Sequence, residues 1–468
     1  MGKACRKGHE ESLSKGITQM KKKYEIDMCS GSVFRKMLLF AIPLMCSSIL
    51  QLLFNAADIV VVGRFAGDNA LAAVGSNTAL INLFTNLFIG LSVGTNVLTA
   101  RYYGAKKEAD LRETVHTSML LSIYSGVILT IVGVAGARFL LELMKAPSEV
   151  IGLATLYLRI LFLGMPSMMV YNFGSAILRA VGDTKRPLYY LLGAGIINVI
   201  LNLFFVITCQ MGVAGVGLAT VISQTISAAL VVRCLMQEKG GIQLELKALS
   251  ISKDKLAKIL KIGLPAGFQG TVFSLSNVVI QSAVNSFGPI AVAGNSAASN
   301  IEGFVYMAMN TFYQATISFT SQNFGAKEYK RIYKILAAGE IYVIATGVIL
   351  GNLAVFFGES LLHMYSSNAE VIVAGMARLR IICTIYALCG IMDVLVGALR
   401  GIGYSVIPMI VSLVGACGLR LVWIATVFQI PQYHSLTIVY LSYPITWTIT
   451  LTVHAVTFVL AARKVLRE

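Results

Sequence analysis

The sequence Tyr103-Gly104-Ala105-Lys106 stands between two long apolar runs, and 221 residues later the chain returns to Phe324-Gly325-Ala326-Lys327 in the same setting. Outward from that joint, Leu158-Arg159-Ile160 recurs as Leu379-Arg380-Ile381, and Leu178-Arg179 with Gly182 recurs as Leu399-Arg400 with Gly403. Pro187 matches Pro408 at the same offset. Near the start of each half, Ile42-Pro43 and Asn55 match Leu264-Pro265 and Asn277 at 222, a slip of one residue. Self-similarity over such a distance means one architectural unit used twice.

Hydropathy says what the unit is made of. The 468 residues are 56% hydrophobic and 13% charged, with a mean hydropathy of +0.76, too little polar surface to cover a water-soluble globule of this size. Runs of about 20 apolar residues span a hydrocarbon core of about 30 Å. Twelve such runs are present. Those of the first half are Met37 to Val62, Leu71 to Ala100, Thr114 to Arg138, Val150 to Ala180, Pro187 to Thr208 and Gly212 to Met236. Those of the second are Ala257 to Ser286, Val292 to Asn323, Ile332 to Phe357, Glu370 to Arg400, Val406 to Phe428 and Thr437 to Ala462.

Six spans per half is an even number, so the second half re-enters the bilayer in the orientation of the first, related by an axis along the membrane normal. The expected fold is an all-α polytopic membrane protein, twelve transmembrane helices in two pseudo-symmetric six-helix bundles, a parallel repeat. The bundles are expected at 37–236 and 257–462, with a cytoplasmic linker at 237–256, a cytoplasmic basic tail at 1–36 and a cytoplasmic C-terminus at 463–468. Parallel halves around a central cleft suit alternating access, in which one half rocks against the other.

A net charge of +16 could suggest nucleic acid, but the placement of the charge argues otherwise. With both termini cytoplasmic, 31 of the 38 basic residues fall in the tails and inner joints, as expected for a multi-pass protein of the plasma (inner) membrane. The remainder are Arg64, Arg138, Lys145, Arg159, Arg378, Arg380 and Arg420. The tail, with Lys21, Lys22 and Lys23, has no apolar stretch long enough for a signal peptide and reads as an orientation signal. The eight cysteines show no CxxC spacing and the five histidines are dispersed, so no transition-metal site is expected. No GxxxxGK[ST] motif is present, which removes self-contained ATP hydrolysis, and nothing suggests an enzyme. Gly212, Gly215 and Gly217 follow no strand and read as close helix packing.

Ionisable residues inside apolar spans cost at least about 2.5 kcal/mol each on insertion scales, so each is a functional candidate. They are Asp58, Glu302, Glu340, Asp393 and Arg420. Asp58 has no basic residue at helical spacing before Arg64. Asn198 and Asn202 share a face of the fifth span, Thr220 and Gln224 share a face of the sixth, and Asn172 adds an amide from the fourth. A carboxylate among amide and hydroxyl oxygens can bind Na⁺ or take up a proton. Asp393 matches Asn172, and Arg420 matches Val199 beside Asn198, which leaves open an Asp393–Arg420 ion pair or a coupling site. Glu302, near the middle of the eighth span with Tyr306 one turn on, could attract a cationic substrate or bond a neighbouring helix. Glu340 is expected to snorkel or to gate.

Ile42-Pro43 followed by Gln51, Asn55, Asp58 and Val62-Gly63, the repeated Gly-Ala-Lys joint, and Ala398-Leu399-Arg400-Gly401 together resemble the MATE (multidrug and toxic compound extrusion) family, over essentially all twelve spans. The resemblance implies a secondary active multidrug exporter. It would be a V-shaped pair of bundles exchanging Na⁺ or H⁺, with no other cofactor, for organic cations and other amphiphiles, and working as a monomer in the lipid bilayer. It implies Asp58 as the coupling carboxylate, with Asn172, Asn198 and Thr220 at the matching polar positions of a possible Na⁺ site. Asn202 stands where many relatives have a second Asp, and Phe273 where one branch has Glu. Asp393 lies about a turn from that branch's acidic position. The second-half candidates for substrate are Glu302, Tyr306, Asn277, Asp393 and Arg420, with Gln224 in the first half. Competing readings are a flippase of lipids or lipid-linked oligosaccharides, which would favour a more cationic cavity than one whose single deep arginine is Arg420, and a non-transporting receptor or channel.

Overall fold

In a hydrocarbon medium each segment must satisfy its own backbone hydrogen bonds, and among the described residues the regular structure is entirely helical. The computed structural model describes residues 24–144 and 148–466. Most of the basic tail, with Cys5 and the Lys21 to Lys23 run, lies outside the described residues, as does Lys145.

The first half comprises α1 (Val33–Phe65), α2 (Asp68–Gly104), α3 (Glu108–Leu143), the broken α4 (Ile151–Leu163 and Met165–Ala180), α5 (Lys185–Leu203, continued by a π turn at Phe204–Thr208) and α6 (Gly212–Gln237). The second comprises α7 (Lys253–Asn285), α8 (Pro289–Gly325), α9 (Tyr329–Phe356), the broken α10 (Ala369–Ile382 and Ala387–Gly401), α11 (Val406–Ser412 and Leu419–Ala425, joined by a π turn at Leu413–Gly418) and α12 (Leu436–Val465). The breaks repeat: α4 bends by 45° and α10 by 47° at equivalent places. Ser32 caps α1 and Asn368 caps α10, each side chain accepting from a first-turn backbone N–H.

Among the described residues eight helices qualify as membrane spans by length and apolarity, or ten when each bent pair is one span. The other two rods, α7 and α8, are 33 and 37 residues long and meet the requirement by length alone. Many of their polar positions are covered by other helices: on α8, Asn295, Glu302, Thr311, Gln322 and Asn323 are all buried. The surface between the two ends is apolar, with Ile131, Phe139, Leu275, Val278, Ile349 and Leu460 among the exposed side chains.

The two halves lean on each other at the face that carries the basic joints. There Met37, Phe40 and Leu44 of α1 pack among Ala315 and Phe319 of α8 and Ile335 and Ala338 of α9. The Asp58 end of α1 packs instead on the first half, where Gly195 of α5 lets the Phe54 ring lie against the backbone. Reciprocally, α7 crosses α2 so closely that Cβ atoms on Gly90 or Gly267 would overlap the facing backbone at 2.1 Å. At the basic ends Gly104 meets the Gln322 carbonyl and Gly325 meets the Arg101 carbonyl, each 2.0 Å from where a Cβ would sit. The repeated Gly-Ala-Lys joint is therefore a two-fold crossing point. After each of its glycines the chain turns through a residue of positive φ, Lys106 (55°) and Lys327 (61°).

Two further segments lie over this face. Residues 24–31 form a strap: the Ile26 N–H donates to the Gly182 carbonyl (3.2 Å), and Tyr103 reaches Glu25 (3.4 Å). From the other half Asn323 donates to the Met28 carbonyl (3.0 Å), and Arg331 donates to the carbonyls of Met28, Ser30 and Gly31 at 3.1 to 3.2 Å. The expected linker is not a loose tether. Its residues bind the first half through Arg186–Glu238, Arg112–Glu245 (2.6 Å), His116 to the Glu245 N–H (3.2 Å) and Thr117 to the Ser252 N–H (3.0 Å).

Candidate functional site

In the first half a cavity of about 260 Å³ lies between α1, α4, α5 and α6. Asp58, 8% exposed, sits in its wall with Asn172, Asn198, Thr220 and Gln224, joined by Gln51, Asn55, Ser223 and Ser227. Asn202 lies behind it and donates to Asp58 Oδ1, while the Thr220 hydroxyl donates to Oδ2 (3.3 Å). The same Asn202 amide reaches Asn198 Oδ1 (3.2 Å), and Asn198 donates to Thr220 (3.4 Å). Asn172 donates one of its two amide N–H groups to the Met168 carbonyl (2.8 Å). The residues expected to gather around Asp58 are thus brought together, with Asn202 as its direct partner.

Among the described residues no group of three or more His, Cys, Asp or Glu side chains converges on a metal. The Asp58 donor set is one carboxylate with amide and hydroxyl oxygens, which suits a hard monovalent cation or a proton. Asn202 Oδ1 is buried without a partner. Turning that amide over would aim its oxygen at Asp58, an arrangement that a proton or Na⁺ between them would stabilise.

The second half differs. Glu302 does not stand free for a cation: Arg378 grips it with two parallel hydrogen bonds, Nε to Oε1 (2.7 Å) and Nη2 to Oε2 (2.8 Å). The third arm of Arg378 donates to Asn295 Oδ1 (2.7 Å), and Asn295 donates to Gln281 (2.8 Å). Nor do Asp393 and Arg420 form an ion pair among the described residues. Asp393 shares its cavity with Tyr306 and with Arg400, which itself donates to Tyr313 and to Gln269 Oε1 (2.8 Å). Arg420 lies 4.0 Å over the Tyr443 ring and reaches Thr446 at 3.4 Å. Asp393, Arg400, Arg420, Tyr306 and Asn277 all line one cavity of about 440 Å³, beside a second of about 360 Å³ lined by Glu302 and Arg378. Glu340 does not snorkel: both its carboxylate oxygens are buried and unpartnered.

The MatE family model matches residues 43–204 and again residues 265–426. The chain belongs to the MatE family. This MatE protein is a membrane transporter, and its two matched segments coincide with the internal repeat. It is 29% identical over 451 residues to the probable multidrug resistance protein YoeA of Bacillus subtilis (strain 168), covering 94% of this chain and 95% of that one. It is 24% identical to the probable multidrug resistance protein NorM of Thermotoga maritima, over 83% of this chain and 84% of NorM. Its fold matches an outward-facing multidrug resistance MATE family transporter of the MOP superfamily with a TM-score of 0.87 at 22% identity, covering 94% and 98% of the two chains.

Some of this MatE chain's polar core was missed from sequence. Arg420 is not the single deep arginine, because Arg378 (6% exposed) and Arg400 (4%) are buried with it. Arg378 had a signal: at the repeat offset it stands where the first half has Tyr157, itself buried beside Asp58. An arginine replacing an interior tyrosine marks a buried charge in need of a partner. The register of Arg420 also changes. The π turn at Leu413–Gly418 takes up one extra residue ahead of it, and the family model pairs the halves at an offset of 222. Arg420 therefore occupies the place of Asn198.

Proposed function

We propose that this protein is a secondary active multidrug exporter, coupling inward movement of Na⁺ or H⁺ at Asp58 to outward movement of amphiphilic organic compounds by alternating access. The observation that carries the reading is Asp58 itself, a buried carboxylate with only Asn202 and Thr220 for partners, lining an amide-rich cavity. An ionised carboxylate held by two neutral donors lacks a countercharge in a low-dielectric setting, and a proton or Na⁺ supplies one. Neutralisation weakens the pull of Asp58 on the Asn202 and Thr220 donors, which bridges α1 to α5 and α6. Ion binding thereby changes the packing of the first lobe. The names of YoeA and NorM support drug export as the task being coupled.

The closure of the basic face by the Gly104–Gln322 and Gly325–Arg101 contacts and by the strap supports a resting state open to the opposite side. With that face cytoplasmic, both termini lie inside, the plasma membrane is the location and the transporter works as a monomer. A flippase would favour a more cationic cavity. Three buried arginines do lie in the second half, but Glu302 offsets one and Asp393 lines the cavity that holds the other two, so export is the reading kept.

Asp58→Asn keeps the size and hydrogen-bonding reach of the side chain and removes its charge. In proteoliposomes it is expected to abolish ion-driven efflux of a dye such as ethidium while leaving membrane insertion unchanged. Undiminished efflux would overturn the coupling role. Imposing Na⁺ and pH gradients separately on the parent chain identifies the ion.

A further inference from the structure

The charges of the second lobe do not balance locally. Arg378 is neutralised by the bidentate contact to Glu302. Arg400 is held by hydrogen bonds to Tyr313 and Gln269. Arg420 has neither: it forms no ion pair among the described residues, its Nε is buried without a partner, and its hydrogen bond to Thr446 is long at 3.4 Å. Only 2% of its surface is exposed. A buried guanidinium left without an acid is costly, and a function that needs the charge is the ordinary reason for its survival.

We propose that Arg420 is the anchor for the acidic group of an aromatic organic anion or zwitterion, bound in the 440 Å³ cavity of the second lobe. One face of the guanidinium rests on Tyr443 at 4.0 Å, which fixes its plane, and the side chain lines the cavity that the ligand would enter. A planar fork so held matches a carboxylate or sulfonate with two parallel hydrogen bonds. Beside it Tyr386 and Trp447 stack at 5.5 Å, and Trp447 meets Tyr443 edge to face at 5.6 Å, giving a flat aromatic wall for the ligand's body. The Tyr443 face that would otherwise welcome a cation is already covered by Arg420. The volume lies within the roughly 300–1,000 Å³ of small-molecule sites.

The repeat explains how the site arose. With the π turn counted, Arg420 replaces Asn198, an amide of the Asp58 cluster. The same scaffold position serves an acid-centred site in the first lobe and a base-centred one in the second. The inference deepens the export reading by naming a substrate class, and it rests on that reading only for what becomes of the ligand once bound.

The test is equilibrium binding with no ion gradient, so its failure is distinguishable from failure of coupled transport. Trp423 and Trp447 are the chain's 2 tryptophans, and only Trp447 lines the cavity. Quenching of tryptophan fluorescence in the full-length, detergent-solubilised chain, and in Trp423→Phe, reports occupancy by 4′-nitrobiphenyl-4-carboxylate, by its uncharged carboxamide and by its trimethylammonium counterpart. The carboxylate should bind at least about tenfold more tightly than the carboxamide, and the ammonium ion most weakly. Arg420→Gln should bring the carboxylate down to the carboxamide's affinity while leaving the carboxamide unchanged. Arg420→Lys, which keeps the charge but not the fork, should lose part of the preference, and it decides the matter if the Gln variant fails to fold. Equal affinities in the parent chain, tighter binding of the ammonium ion, or a carboxylate preference untouched by either substitution would overturn the proposal.

Discussion

Asp58 and Arg378 show how far single residues can be read. A carboxylate inside an apolar run announces itself, and the amides at helical spacing on α5 and α6 point toward it, so the first-lobe cluster was legible before any coordinates. The Glu302–Arg378 pair was not. Its members belong to α8 and α10, 76 positions apart, and only the fold brings them together. Arg378→Met should leave Glu302 as an uncompensated buried charge and cost about 3–5 kcal/mol, whereas replacing both residues by Met should be much milder. Thermal unfolding in detergent measures the difference, and a single variant as stable as the parent would mean that Glu302 has another partner.

Among elements, the runs read from the sequence fall on all twelve rods but stop short of their ends, and α7 and α8 reach the span requirement by length alone. The α1 run was expected from Met37 to Val62, and the helix extends from Val33 to Phe65 because charged and capping residues continue it past the apolar stretch. The bends in α4 and α10 left no hydropathic trace, although Gly164 and Pro166 mark the first of them as a place where a helix breaks. The α2–α7 crossing was likewise hidden, because a glycine reads the same whether it turns the chain or admits a neighbour. A methyl group on Gly267 would come within 2.1 Å of the Leu87 carbonyl oxygen, so Gly267→Ala must push the halves apart. Efflux per molecule should fall roughly tenfold, in keeping with overpacking of about 1–3 kcal/mol. Unchanged efflux at equal membrane abundance would show that this crossing opens freely.

For the molecule as a whole, the duplicated plan was legible from a four-residue joint, but the part played by residues 24–31 was not. They have no sequence match ahead of the second half, so no repeat flagged them. They close the basic face by contacting both halves, and alternating access through that face requires them to let go. Cys29, whose thiol reaches Gln322 at 3.8 Å, reports the release. In a chain with Cys5, Cys46 and Cys209 changed to Ser, maleimide should label Cys29 slowly, and severalfold faster once Arg331→Ala removes three of the strap's hydrogen bonds. Identical rates would show that the strap is not held by Arg331.

The strap also has a place in the order of synthesis. It leaves the ribosome before α1, yet its anchors Asn323 and Arg331 lie 295 and 303 positions beyond Met28. At about 5–20 residues per second, translation reaches them some 15–60 s later. Met28, fully covered in the finished protein, therefore waits uncovered until α8 and the start of α9 are in place. Until those anchors arrive the strap has only its first-half contacts at Gly182 and Tyr103, so a segment made ahead of α1 acts as the seal on a finished second half.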